Sequence, residues 1–107
     1  MTPNELKNTI GVTKTIQMVG DALGFNYHPD CAASYECCRN KEPKESDKYI
    51  VFWYNPDSDG FRLRIGGTVY YVGWVEVDSI IDYVKSVMRF NKALKTSYIA
   101  KEIAKDF

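Results

Sequence analysis

The chain predicts a small α+β domain in the order α-βββ-α(α). A three-stranded antiparallel meander, with room for a fourth edge strand, is packed by an N-terminal helix and a long C-terminal helix. Three observations predict it. Residues 49–77, YIVFWYNPDSDGFRLRIGGTVYYVGWVEV, hold three apolar, aromatic-rich runs separated by two turn signals. The flanking segments carry apolar residues at helical rather than alternating spacing. Both turns of the meander are short, which favours hairpins over crossovers.

With 107 residues and 45% hydrophobic composition, the chain is long enough to bury one core, and a single domain over 1–107 is expected. It divides into an N-terminal helix (1–24), an irregular Cys-containing connection (25–48), the meander (49–77) and a C-terminal helix or helix pair (78–107). Thr2 and Glu5 have capping-box spacing and Pro3 occupies the first helical position, so a helix begins at Pro3. Leu6 and Ile10 share one face, whereas Val12, Ile16, Val19 and Leu23 form a stripe rotated from it, which predicts a kink or break near Gly11. Gly24 follows the last periodic residue and suits a left-handed cap.

Periodicity is lost from Phe25 to Lys48. A structureless stretch of that length is uncommon inside a compact domain, so residues 30–38 are expected to form a short helix or an edge strand. The first strand of the meander, residues 49–54, is apolar on both faces and suits a central position. Residues 55–60, Asn-Pro-Asp-Ser-Asp-Gly, form a hairpin loop by composition, and Gly66-Gly67 marks the second turn. Alternation assigns Ile50, Phe52, Tyr54, Phe61, Leu63, Ile65, Val69, Tyr71, Val75 and Val77 to the core face. The second face takes Tyr49, Val51, Trp53, Arg62, Arg64, Tyr70, Val72, Trp74 and Glu76. Asp78 is expected as the N-cap of the last helix, whose stripe runs through Ile80, Val84, Val87, Leu94 and Tyr98 beside Met88. A break near Thr96-Ser97 and a short final helix follow from the drift of Ile99, Ile103 and Phe107.

Charge and cysteine content bound the function. Fourteen basic and fourteen acidic residues cancel, so the chain as a whole has no attraction to phosphate backbones or anionic membranes. No apolar run approaches the roughly 18 residues of a membrane span. The N-terminus has neither secretory nor transit character. With three cysteines, an odd number, the expected compartment is a reducing cytoplasm and the expected state of Cys31, Cys37 and Cys38 is the thiol.

His28, Cys31, Cys37 and Cys38 supply four zinc-type donors within eleven residues. Adjacent Cys37 and Cys38 project in different directions and no second C-x-x-C pair closes a knuckle, so buried thiols are the ordinary explanation and no cofactor is expected. Cys31 beside His28 lacks a third orienting group for nucleophilic catalysis. Residues 55–60 match the first half of a calcium loop, but Gly66 stands where the bidentate Glu belongs. These absences lead to the expectation of a protein that is not an enzyme.

The second sheet face carries the binding signal. Trp53, Trp74, Tyr49 and Tyr70 around Arg62 and Arg64 would set flat rings and planar cations on one surface, either open to a partner or covered by a helix. Lys85, Arg89, Lys92 and Lys95 recur at helical spacing and form a basic ridge on the last helix, where solvated charges are the usual finding.

The run Phe61-Arg-Leu-Arg-Ile65, with Gly67, Tyr71, Gly73 and a helix after Val77, resembles the three-strands-plus-helix DNA-binding domains of the integrase type. That resemblance implies major-groove contact by Trp53, Arg62 and Arg64. It covers about a third of the chain, which departs from it in lacking general basicity and in placing Glu76, Asp78 and Asp82 near the phosphates. The element order is also similar to the double-stranded-RNA-binding fold, although the second helix here opens on Asp78 and Asp82 rather than lysines.

The functional expectation is a small non-catalytic binding protein acting by protein contact, of the inhibitor or adaptor kind carried by phages and mobile elements. Trp53, Arg62, Arg64, Tyr70 and Trp74 would make the contact, with Lys85, Arg89 and Lys92 steering an acidic partner. The alternative is nucleic-acid binding by the same face and ridge.

Overall fold

The computed structural model describes residues 1–31 and 35–91. The expected stripe through Leu94 and Tyr98, the break near Thr96-Ser97, the final helix, and Lys92 and Lys95 lie outside the described residues.

Two helices open the chain: α1 (Pro3–Thr9) and α2 (Gly11–Leu23). Thr2 Oγ1 accepts the Glu5 N–H at 3.2 Å, the cap that its spacing predicts. The break falls where the apolar stripe changes face. Ile10 still donates to the Leu6 carbonyl, but Gly11 takes φ +79°, a conformation that costs other residues strain, and α2 restarts in a new direction. Both helices thereby bury their own stripes, Leu6 from α1 and Ile16 and Val19 from α2. At the end of α2, Gly24 adopts φ +72°. Phe25 N–H then reaches the Gly20 carbonyl and Gly24 N–H the Asp21 carbonyl, the paired bonds of a Schellman cap.

Among the described residues the sheet has five strands rather than the three or four expected: β1 (Asn26–His28), β2 (Cys37–Arg39), β3 (Ile50–Asn55), β4 (Gly60–Ile65) and β5 (Thr68–Val72), antiparallel throughout in that order. The two extra strands come from the connection expected to be irregular. Each is only three residues long, too short to show alternation. Asn40 fixes their join to the meander, since its Nδ2 donates to the Lys48 carbonyl and its Oδ1 accepts the Ile50 N–H. β3 is the middle strand, as its two apolar faces suggest.

One register assignment is overturned. The Gly66-Gly67 turn is a two-residue loop pairing Ile65 with Thr68, so residue parity inverts across it. Tyr70 and Val72 therefore stand on the core side, opposite Leu63 and Phe61. Val69 and Tyr71, expected in the core, face outward at 54% and 58% exposure. Val75 is exposed and Trp74 is buried, again the reverse of the expectation.

Helix α3 (Val77–Phe90) begins two residues earlier than an N-cap at Asp78 implies, with Glu76 flanking it and Asp78 inside the first turn. Asp78 is thus not the N-cap, and its charge instead complements the helix dipole. Ile80 and Val84 join Leu6, Ile16, Val19, Cys38, Phe52 and Leu63 in the main core, on the helical side of the sheet. Phe61 stacks on Phe52 at 5.2 Å between ring centroids and meets Trp74 edge-on at 4.8 Å. Among the described residues no helix is long and apolar enough to cross a membrane.

Candidate functional site: the outer face of the sheet

With the three helices of the described residues on one side, the opposite face of the sheet is composed by strand register. Two rows cross it. One runs Asn26, Arg39, Val51, Arg64, Val69; the next runs His28, Cys37, Trp53, Arg62, Tyr71. Neither row contains a carboxylate, so in a chain with no net charge this face is locally cationic.

Cys31, from the connection between β1 and β2, packs on part of this face. Cys31 N–H donates to the Tyr35 carbonyl at 2.8 Å, and Cys31 is joined to Cys37 of β2 by a disulfide with Cα atoms 6.0 Å apart. This corrects the expectation of three thiols. The pairing was hidden because it depends on where the fold places Cys31 relative to β2, which spacing does not encode. Cys37, Tyr49 and Val51 are buried as a second, smaller apolar cluster, with Cys31 and Trp53 packed against them.

Beside the disulfide lies a cleft of about 320 Å³, at the lower end of the usual 300–1,000 Å³ range for ligand pockets. Tyr35, Tyr49 and Trp53 line it with Val51, and Lys44 and Arg64 bring two cations. Arg64 is held in place: its Nε–H donates to the Gly66 carbonyl at 2.6 Å and its guanidinium lies 5.9 Å from the Tyr49 ring centroid. Gly66, at φ +57°, is what brings that carbonyl round. Arg62 is tied down more firmly, donating to Ser58 Oγ at 2.8 Å and to the Phe61 carbonyl at 3.2 Å while stacking 4.6 Å over Tyr71.

The structure brings together Trp53, Arg62 and Arg64 of the expected contact set and separates the others. Tyr70 and Trp74 belong to the helical side, where Trp74 is in the core. Lys85 and Arg89 are on α3, which also packs on that side, so the expected ridge and the arginine face do not form one surface. The four zinc-type donors do not converge. Cys31 and Cys37 are bonded to each other, and Cys38 faces the helices, where burial pushes its thiol up to about 12. The calcium-like loop uses its oxygens internally: Asn55 Oδ1 accepts the Asp57 N–H, and Asp59 is engaged by Lys7, Tyr54 and Trp74.

Sequence reasoning missed Tyr35 and Lys44, which come from the aperiodic connection and carry no spacing signal. It also missed Glu36, which accepts from Thr13 and from the Tyr27 hydroxyl and clamps β1, α2 and the β1–β2 segment together. The chain matches no protein-family model, no curated protein and no solved structure.

Proposed function

We propose that this chain is a non-catalytic binding module that holds an acidic protein partner through the outer face of its sheet, centred on Trp53 and Arg64. The observation that carries this reading is the row pattern itself. A half-buried tryptophan and two arginines, both already fastened by hydrogen bonds, stand on adjacent inner strands with no carboxylate among them. Tryptophan, tyrosine and arginine dominate binding hot spots, and cations that are already oriented lose little freedom on binding. The local positive charge on a neutral chain steers an acidic surface toward this side.

The test is capture of protein from cells of the source with the wild type and with Arg62→Glu/Arg64→Glu. A partner retained by the first and lost by the second supports the reading; retention by both removes it. The same cations would also serve phosphates, so binding to duplex and single-stranded oligonucleotides at low ionic strength separates the alternatives, because the phosphate contribution is largest there.

A further inference from the structure

The cleft beside the Cys31–Cys37 disulfide defines a smaller and more specific site within that face. We infer that it seats an acidic, extended segment of the partner, with a carboxylate drawn to Arg64 and Lys44 and an adjoining aromatic or aliphatic side chain lying between Tyr35 and Trp53. The inference rests on the partner-binding reading above and names what the partner presents.

Charge complementarity selects the occupant. Among the described residues the cleft has two cationic side chains and no acidic one, and its remaining lining is aromatic, aliphatic or disulfide. Arg64 spends its Nε on Gly66, and no hydrogen bond of its two terminal nitrogens to the described residues is found, so the fork that suits a carboxylate is presented by a fixed stem. Lys44 has no ion pair among the described residues. The volume of about 320 Å³ accommodates one side chain and its neighbour rather than a folded element. The floor is rigid, because Val51 and Cys37 are buried on paired strands and the disulfide fastens Cys31 to β2. An aromatic ring entering here meets Trp53 and Tyr35 without displacing the main core, which lies on the other side of the sheet.

Two dipeptides of nearly the same shape isolate the carboxylate: acetyl-Asp-Phe-amide and acetyl-Asn-Phe-amide, titrated into the ¹⁵N-labelled chain at low salt. The inference predicts shifts concentrated at the amides of Val51, Trp53 and Arg64 and at the Trp53 indole N–H. It predicts that the Asp peptide binds about three- to tenfold more tightly than the Asn peptide. Arg64→Gln and Lys44→Gln should each shrink that ratio toward one, weakening the Asp peptide more than the Asn peptide. Lys44 is exposed and makes no hydrogen bond to the described residues, so its variant decides the matter should Arg64→Gln fail to fold. Equal binding of the two peptides, a ratio that survives both variants, or shifts confined to another surface would overturn the inference. So would a thymidine pentanucleotide that displaces the Asp peptide from the cleft and binds more tightly than it. Because the titration needs no native partner, its failure leaves the capture experiment intact, and loss of the capture result leaves the cleft's own selectivity readable.

Discussion

Asp59 accepts the indole N–H of Trp74 across 3.2 Å, and the same carboxylate takes the Lys7 ammonium and the Tyr54 hydroxyl. One turn residue thus fastens α1, β3 and the segment before α3 to the β3–β4 hairpin. It does so from φ +51°, a left-handed conformation that Asp tolerates better than most residues.

Acid should loosen this junction. The bonds from Lys7 and Tyr54 hold the Asp59 carboxyl down at about 2. A carboxyl depressed on folding stabilises above its unfolded value, near 3.9, and loses that contribution as pH falls through the folded value. The urea midpoint of the wild type should therefore drop between about pH 4 and pH 2. Asp59→Asn, which keeps the turn conformation, should start lower and stay flatter across that window.

Tyr54 shows the opposite shift from the same contact. Its bond to Asp59, with burial and the carboxylate's charge adding to it, pushes the phenol up to about 12. A raised phenol stabilises fully below its unfolded value, near 10, and that contribution is lost as pH rises toward the folded value. Phenolate absorbance should show Tyr54 ionising late, beside Tyr27, whose phenol is raised by its bond to Glu36, and Asp59→Asn should return the Tyr54 step alone toward the ordinary range.

Gly20→Ala reverses the usual helix rule. In an exposed helix the change gains up to about 1 kcal/mol, but here the new Cβ would stand 2.9 Å from Cys38 Cβ, where α2 lies close on β2. A net loss of about 1–3 kcal/mol in chemical denaturation is expected, from overpacking against a strand that cannot retreat.

The cysteines give a direct count. Without reductant, the native chain should show no titratable thiol at neutral pH, because Cys38 is buried and Cys31 and Cys37 are bonded. Denaturation alone should release one thiol, and denaturation with a reductant three.

Much of this architecture is legible in local pattern. Thr2, Gly11 and Gly24 mark helix boundaries through caps and backbone conformations that depend on few neighbours. The β3–β4 pairing is equally readable, since Ile50, Phe52, Leu63 and Ile65 alternate in phase. Legibility ends where two residues decide a parity. A two-residue turn at Gly66-Gly67 moves Tyr70 into the core and Tyr71 out, and composition alone does not count loop residues. β1 and β2 were illegible for a different reason, because Cys37–Arg39 is held by long-range partners on both sides rather than by its own propensity. The disulfide fell with them. Its presence also removes the ground on which a reducing compartment was expected. At the site, Trp53, Arg62 and Arg64 could be read from alternation, whereas Tyr35 and Lys44 reach the cleft only through the fold.

The most direct measurement is the affinity of the captured partner for Trp53→Ala, set against Tyr83→Ala on the exposed side of α3. The Trp53 side chain bears no charge and its indole forms no hydrogen bond to the described residues, so its removal tests the surface rather than the general electrostatics. If the outer face is the binding surface, Trp53→Ala weakens the complex by about tenfold or more and Tyr83→Ala leaves it unchanged. Wild-type affinity for Trp53→Ala together with loss on Tyr83→Ala would place the partner on the helical side and contradict the account.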